Sequence, residues 1–444
     1  MQRIQKYIRL TGLILLGVII LICLSAAVIL FPYYWRNIST YPVLEDARKD
    51  LAEKYKSPEI LIDKHDYKGV VHAHHYWSHD SRGNLTEILP AAKQAGLDYI
   101  FFSDHIRDQL DTFPRGISGI IDGILFESGT ESKGLMVSPL RNVVIDWGKE
   151  KNKIVQGVTE AGGLVVYVHT EESHDWEDPH YQAMEIYNIH TDFIDEGGGL
   201  VDVLLNSLVN GKSYRHWVYR ELYNDQTKIL SLWDSLNTNR KIVGVGSVDA
   251  HNNQSIRARY TNSDKVEWVG PDAKTITITE PGFVEWLLLS KPDIAGWAFK
   301  FEIDTYFASF NYVNNHVFTD SLTSRSIKNS LVAGNTFLSF ENLAEAKGFQ
   351  FVALDNTDTV KAIMGDSVAI QNVAKLKAVS PYPVQFRLMR NGEKIISIDN
   401  VYTFEYEVKS SPGNYRLEAS LQLNDTWYTW IYTNPIYLYE LELD

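Results

Sequence analysis

Histidine and carboxylate residues recur in the first part of the chain in a pattern typical of metal ligands. The sharpest element is His72-Ala-His74, because residues i and i+2 of an extended segment point to the same side. Twelve of the 13 histidines lie between His65 and His251, and only His316 lies outside that interval. Imidazole and carboxylate together suit zinc, manganese or iron. The pattern therefore predicts bound divalent ions.

The other candidate ligands are spread along the chain after this pair. They are Asp104, His105, Glu131, His169, Glu185, Asp249 and His251, with His79 and Asp80 in the loop after the pair. This set is large enough for two or three ions, which could share a bridging carboxylate. A bound ion lowers the pKa of water toward about 7, so the expected chemistry is hydrolysis.

Short apolar runs stand directly before these polar residues and predict the strands that carry them. The predicted strands are 68–71, 97–102, 163–168, 183–187 and 242–246. One amphipathic helix is predicted to begin at Asn84, three residues before Glu87, and to end at Gly96. A second is predicted over 153–161. This alternation favours an α/β fold with parallel strands, whose carboxyl ends gather the polar residues at one rim.

The last hundred residues have a different pattern, which predicts an all-β domain. Tyr402, Phe404 and Tyr406 alternate with polar residues, as in a strand with one buried face. Asn391-Gly392 predicts a tight hairpin turn. Several short strands at regular spacing are typical of a small β-sandwich.

Composition excludes several classes of protein. The net charge is 42 − 56 = −14, which argues against a nucleic-acid partner. The hydrophobic fraction of 45% is ordinary for a globular protein, and 444 residues suit two or three domains. Cys23 is the single cysteine, so an intrachain disulfide and a cysteine-based zinc site are both excluded.

The N-terminal segment is predicted to cross a membrane. Residues 10–31 carry no charge, and about 20 apolar residues are enough for a spanning helix. Arg3, Lys6 and Arg9 precede it, which favours an internal N-terminus and an extracytoplasmic catalytic domain. The alternative is a cleaved signal peptide with its cleavage site at residues 25–27. The apolar run continues beyond that site, which favours an uncleaved single-pass anchor.

Taken in order, the motifs resemble those of the polymerase and histidinol phosphatase (PHP) family over about residues 67–255. They are His72-Ala-His74, Ser103-Asp104-His105, Gly129-Thr130-Glu131, 163–169, 184–188 and Asp249-Ala250-His251. The resemblance implies an irregular (βα)7 TIM-like barrel with a metal site, usually of three ions, that hydrolyses phosphoesters. Residues 413–416 and 430–437 are similar to the closing strands of a β-domain attached to some bacterial members.

The resemblance also implies an assignment of ligands. The first ion would take His72, His74, Glu131 and Asp249. The second ion would share Glu131 and add His169, with either Glu185 or His190 as its remaining ligand. The third ion would take His105, His251 and either His79 or Asp80. We slightly prefer His79 to Asp80 as the loop ligand of the third ion, and we prefer Glu131 to Glu127 as the bridging carboxylate. Asp104 is expected to orient His105, and Arg257, with Arg259 and Arg82 as similar cases, to clamp a phosphate. Metal binding is not indicated by the spacing of the remaining histidines His174, His180 and His216.

These observations predict five segments and one leading function. The segments are a cytoplasmic tail 1–9, a transmembrane helix 10–31, a stalk 32–64, a PHP barrel 65–345 and a β-sandwich-like domain 346–444. The predicted protein is a membrane-anchored, metal-dependent phosphoesterase acting on a phosphorylated small molecule or envelope polymer. The alternatives are an amidohydrolase-type hydrolase and a non-catalytic, metal-stabilised protein that binds an envelope polymer.

Overall fold

The computed structural model describes residues 2–107, 115–140, 145–189, 191–192, 199–409 and 411–441. Its α-helices are α1 (Gln2–Trp35), α2 (Tyr41–Glu53), α3 (Leu85–Gln94), α4 (Lys151–Glu160), α5 (Gly199–Asn210), α6 (Arg215–Arg220), α7 (Thr227–Asn237), α8 (Phe283–Leu288), α9 (Tyr306–Phe310) and α10 (Ser324–Ala333). A π-helix joins α1 to α2 over Arg36–Thr40.

The strands of the first half are β1 (His65–Ala73), β2 (Tyr99–Phe102), β3 (Asp104–His105), β4 (Gly119–Ile121), β5 (Ile124–Glu127), β6 (Thr130–Ser132), β7 (Leu135–Ser138), β8 (Leu164–Tyr167), β9 (Ala183–Asn188) and β10 (Val243–Ala250). Those of the second half are β11 (Ser255–Tyr260), β12 (Val266–Val269), β13 (Thr275–Thr279), β14 (Phe299–Glu302), β15 (Val313–Thr319), β16 (Thr336–Phe340), β17 (Gln350–Leu354), β18 (Val360–Ile363), β19 (Ser367–Ala369), β20 (Lys375–Arg390), β21 (Glu393–Glu407), β22 (Gly413–Leu423), β23 (Thr426–Thr433) and β24 (Ile436–Tyr439). The chain is thus a mixed α/β protein.

The strands of the first half pair in a cycle that returns to its start. β1 pairs in parallel with β2, and β2 with β5. β6 follows β5 after two residues and pairs with β7, which pairs with β8. β8, β9, β10 and β1 then pair in parallel, so the last pairing ends on β1. Each of the five strands predicted from the sequence is present in this cycle.

Both faces of these strands are buried, which explains their nearly continuous apolar sequences. Successive residues of one strand belong to two different apolar clusters, for example Val70 and Val71 in β1. The same division separates Ile100 from Phe101 in β2, because side chains alternate between faces along a strand.

The capped helix predicted after β1 is α3. The Asn84 side chain accepts a hydrogen bond of 2.9 Å from the backbone N–H of Thr86, as expected of an N-cap. Gly96 has a φ of +66°, the left-handed conformation that glycine supplies after a helix. The second predicted helix is α4.

One part of the cycle departs from the predicted parallel order. β7 is antiparallel to both β6 and β8, because a turn at Lys133-Gly134 reverses the chain where a helix would otherwise return it. Both turn residues have positive φ, 57° and 70°, as a two-residue hairpin turn requires. The apolar runs of β5 and β7 are only three residues long, so the sequence analysis did not identify them.

Two further β-structures follow the cycle. β11 to β14 form a separate four-stranded antiparallel sheet in the order β13-β12-β11-β14. The C-terminal strands are antiparallel apart from the pair β19–β24, and Asn391-Gly392 forms the β20–β21 turn as predicted. β15 pairs with β1, β16 with β15 and β23 with β16, so hydrogen bonding continues from the cycle into the C-terminal strands. The domain boundaries given above stay predictions.

Among the described residues, one helix is long and apolar enough to cross a membrane. It runs from Leu10 in α1 through the π-helix to the end of α2, and its apolar side chains between Leu10 and Phe31 are exposed, apart from the half-buried Leu30. The α2 part of this helix packs against the rest of the chain, since Tyr41 and Leu51 are buried.

Candidate metal centre

Three of the candidate ligands have an unusual backbone conformation. His72, His169 and Asp249 have φ values of 63°, 52° and 43°, in the left-handed region that residues other than glycine rarely adopt. They lie in β1, just after β8 and in β10, at the carboxyl ends of strands in the cycle. Such conformations cost of order 1–3 kcal/mol each and cluster at functional sites.

These ends bring four donors together in what we name the first donor group: His72, His74, Glu131 and Asp249. One atom of each lies within 4.8 Å of the others. Nε2 of His72 is 2.9 Å from Glu131 Oε2 and 3.1 Å from Asp249 Oδ1. Nε2 of His74 is 3.3 Å and 3.2 Å from the same two oxygens.

A second donor group consists of His74, Asp80, His105 and His251, again within 4.8 Å of one another. Asp80 Oδ2 lies 3.4 Å from His105 Nε2 and 3.2 Å from His251 Nε2. The rings of His74 and His251 stack with their centroids 3.8 Å apart. His74 therefore belongs to both groups.

Glu131 extends the cluster in a third direction. Its Oε2 faces His72 and His74, whereas its Oε1 lies 3.1 Å from Nε2 of His169. The two oxygens of one carboxylate thus face different imidazoles, which is the arrangement of a bridging ligand.

The residues present fit divalent ions by spacing and by chemistry. Ligands of a tetrahedral ion at about 2.0–2.1 Å stand roughly 3.3 Å apart, close to the separations found in both groups. Burial opposes a charge on His72, but Asp249, Glu131 and Glu185 outweigh it and raise its pKa well above the usual range. His72 in turn holds the pKa of the buried Glu131 and Asp249 carboxyls well below theirs. The cluster favours positive charge, which divalent ions would supply.

Glu185 lies behind the first donor group. Its Oε1 is 2.5 Å from Nδ1 of His72, the ring nitrogen that faces away from the group. Its Oε2 accepts hydrogen bonds of 2.8 Å from the backbone N–H of His169 and from the Asn188 side chain. Carboxylates in this position orient the imidazole that binds the metal. Glu185 belongs to neither donor group, and His190, its alternative as a ligand, lies outside the described residues.

The loop after His74 brings Asp80 and not His79 into a donor group. Asp80 is held between His105 and His251, whereas the His79 side chain is exposed, with its ring centroid 5.1 Å from that of His105. Of the two loop residues, the geometry therefore favours Asp80 as the metal ligand beside His105 and His251.

Asp104 contacts His75. Its Oδ1 accepts a hydrogen bond of 2.8 Å from the His75 backbone N–H, and its Oδ2 lies 3.1 Å from His75 Nε2. Burial raises the pKa of Asp104 to about 8 and, with the neighbouring His74, lowers that of His75 to about 3. Asp104 thus holds the backbone directly after His74.

Arg257 and Glu127 each have other charged neighbours. The Arg257 side chain is fully buried, 3.6 Å from Glu87 and 3.8 Å from Glu302, and it stacks over Trp297. Glu127 lies 2.8 Å from the buried Lys328. Neither residue belongs to the two donor groups.

Sequence reasoning did not identify three residues that support the site. Glu171 lies 3.6 Å from Nδ1 of His169 and accepts a hydrogen bond from Thr191. Ser78 Oγ lies 3.2 Å from Nδ1 of His74, and Tyr306 donates a hydrogen bond of 2.6 Å to the His74 carbonyl oxygen. None has a recurrent spacing, and Tyr306 is more than 200 residues away in sequence.

Comparison with known proteins gives a likeness in structure. The chain matches a solved protein of Bacteroides vulgatus, described as a two-domain protein containing a predicted PHP-like metal-dependent phosphoesterase, with 10% sequence identity and a TM-score of 0.37. The match covers 86% of this chain and 98% of that one. No family model matches the chain, and no curated protein does. At this TM-score the likeness defines neither the fold nor the activity of the chain.

Proposed function

We propose that the chain is a metal-dependent phosphoesterase. The observation that carries this proposal is the convergence of two four-residue donor groups on a shared residue, His74, at the carboxyl ends of the paired strands. When bound there, neighbouring divalent ions supply an activated water and a positive charge that stabilises the phosphoryl oxygens. The site needs no nucleophilic side chain for hydrolysis of this kind.

The residues of the site divide into ligands and positioning residues. The proposed ligands are His72, His74, Asp80, His105, Glu131, His169, Asp249 and His251. Glu185 holds the His72 ring through Nδ1 and leaves Nε2 directed at the first donor group. Glu171 likewise lies at Nδ1 of His169, at 3.6 Å, and leaves the Nε2 of that ring directed at Glu131. Asp104, through the backbone of His75, holds the loop that carries the second group.

We also propose an architecture and a location for the chain. We infer that the cycle β1–β10 is an irregular barrel of the PHP type, since the order of ligands along the chain follows that family. We also infer that α1 anchors the protein with its N-terminus inside and the catalytic domain outside. The three basic residues before the apolar run support that orientation.

The proposal is tested on the full chain purified in detergent. The protein is stripped with a chelator, reloaded separately with zinc, manganese and iron(II), and assayed on an aryl phosphate and an aryl phosphodiester. We expect at least two equivalents of metal and hydrolysis that depends on them. Failure to bind metal would refute the site. Metal binding with hydrolysis of an aryl amide or ester, but of neither phosphoester, would replace the proposal by the amidohydrolase alternative.

Two alanine variants provide the comparison. Asp249→Ala removes a ligand of the first donor group, and we expect it to lose metal and hydrolysis together. His180→Ala removes an imidazole whose neighbour is Asp178 and which lies in neither donor group. We expect this control to retain both properties. Retained hydrolysis in Asp249→Ala would contradict the assignment.

A further inference from the structure

A cavity of about 260 Å³ adjoins the metal centre. Asp80, Asp249 and His251 lie at its wall, so the ligands face directly into it. The rest of the wall has five aliphatic side chains, Ile189, Val203, Leu222, Val248 and Ile303, beside polar residues that include Asp272 and Asp304. A small hydrophilic phosphoester would leave these apolar side chains without a partner, whereas a hydrocarbon chain would cover them.

One wall of the cavity belongs to a helix that is bound to the end of the membrane segment. Val203 is part of α5, and the adjacent residue Asp202 accepts a hydrogen bond of 2.8 Å from the Tyr33 hydroxyl of α1. Arg36 lies 3.4 Å from the same carboxylate. One turn further along α5, Asn206 donates a hydrogen bond of 2.7 Å to Tyr41. The helix that supplies Val203 to the cavity wall is therefore hydrogen-bonded to residues directly after the apolar segment.

The outer face of α5 is apolar and exposed. Val201, Leu204 and Leu208 have the spacing i, i+3 and i+7, which places them on one face of the helix. Their exposed fractions are 63%, 36% and 56%. An exposed apolar face beside the end of a membrane-spanning helix is suited to the boundary between headgroups and acyl chains. The bilayer that holds α1 is the occupant that this position supplies.

We propose that the substrate is an amphiphilic phosphoester, a phosphate carried on a hydrocarbon chain, drawn from the bilayer around α1. The phosphate lies at the metal ligands and the first part of the chain lies in the cavity beside α5. This inference rests on the proposed phosphoesterase function. In the reaction, the oxygen of water bonds to phosphorus and the phosphorus–oxygen bond to the chain breaks. The alcohol leaves with a proton, and phosphate is released.

The test measures binding of ligands that are not hydrolysed. Ethyl, butyl and hexyl phosphonate are titrated by calorimetry into the metal-loaded full chain in phosphatidylcholine nanodiscs, with empty nanodiscs as the blank. Each methylene that enters the cavity is expected to tighten binding about fourfold, so hexyl phosphonate binds up to roughly two-hundredfold tighter than ethyl phosphonate. Equal affinity of the three ligands would overturn the inference.

A matched pair of substitutions locates the effect. Ile303→Trp fills the cavity and is expected to reduce the ratio of hexyl to ethyl affinity at least tenfold. Ile395→Trp is the same change at an exposed position of β21, in the C-terminal strands, and is expected to keep the wild-type ratio. An unchanged ratio in Ile303→Trp, with metal content and melting temperature preserved, would exclude this cavity as the chain-binding site.

A second readout concerns the bilayer. The double variant Leu204→Glu/Leu208→Glu is compared with Ile395→Glu on dodecyl phosphate embedded in phosphatidylcholine vesicles. We expect at least a tenfold loss of turnover in the α5 variant only, and equal turnover would overturn entry from the bilayer. Phenyl phosphate, which is soluble, separates the two proposals. If phenyl phosphate is hydrolysed and the phosphonates show no preference for a longer chain, the phosphoesterase proposal stands and the amphiphilic substrate is excluded. If no phosphoester is hydrolysed, the proposed function itself is refuted.

Discussion

Substitution of His74 by alanine tests which ion this residue binds. His74 is the one residue common to both donor groups of the described chain, and it is completely buried. A four-ligand zinc site binds with about 10–16 kcal/mol, so one ligand accounts for roughly 3–4 kcal/mol. A neutral imidazole coordinates one ion through one ring nitrogen, and Nε2 of His74 faces Glu131 and Asp249. His74→Ala should therefore weaken the ion of the first donor group by about 10²- to 10³-fold. Asp80→Ala should weaken only the ion of the second donor group by a similar factor.

The assay is equilibrium dialysis of the full chain against a series of chelator-buffered metal concentrations, followed by elemental analysis. Wild type and His180→Ala should give the same binding curve, because His180 lies outside both groups. Asp80→Ala and His74→Ala should each shift one equivalent to higher free metal, and the double variant His74→Ala/Asp80→Ala should shift two. Circular dichroism of the metal-free variants establishes that each one is folded. A double variant that shifts only one equivalent would refute the assignment of His74 and Asp80 to different ions.

Three other predictions follow from buried charged groups. Glu185→Gln should weaken metal binding by about 10- to 100-fold without changing the number of ions, and chelator titration measures this. Arg416→Ala should lower the free energy of unfolding by about 3–5 kcal/mol in urea, because it leaves the paired Asp234 carboxylate buried and uncompensated. Burial opposes the charge on His316, but Asp66 and Glu341 outweigh it and raise its pKa from 6.5 to about 9. Its contribution to stability is complete below pH 6.5 and is lost as the pH rises through 9, so the destabilisation caused by His316→Gln in urea should be larger at pH 6 than at pH 10. An equal loss at both pH values would contradict the last prediction.

Much of the strand framework was predictable because the signal is local. A buried strand such as β8 needs an apolar run of four or five residues, and its end needs a polar residue or glycine, so both are visible in one short window. The hairpin of β6 and β7 was not predicted, because its strands are short and its reversal depends on the positive φ values of Lys133 and Gly134. The sheet β11–β14 was missed because its strands are short and because β13 and β14 have no buried residue, so that neither shows a buried face in its sequence.

The choice among similar ligands was decided by contacts between distant parts of the chain. His79 and Asp80 are neighbours in sequence, and only their surroundings distinguish them, since His105 and His251 surround Asp80. Glu127 and Glu131 are also close in sequence, but Lys328, about 200 residues further on, lies against Glu127.

From the sequence alone one can determine which residue types are able to bind metal and which strand ends carry them, because periodicity and residue chemistry are local properties. It also determines that the N-terminal segment is apolar enough to cross a membrane. Only the tertiary structure decided that His74 lies in both donor groups, that Glu185 lies behind His72, and that a cavity joins the site to α5. Those facts depend on distances between residues far apart in the chain, and distances of that kind are set by packing.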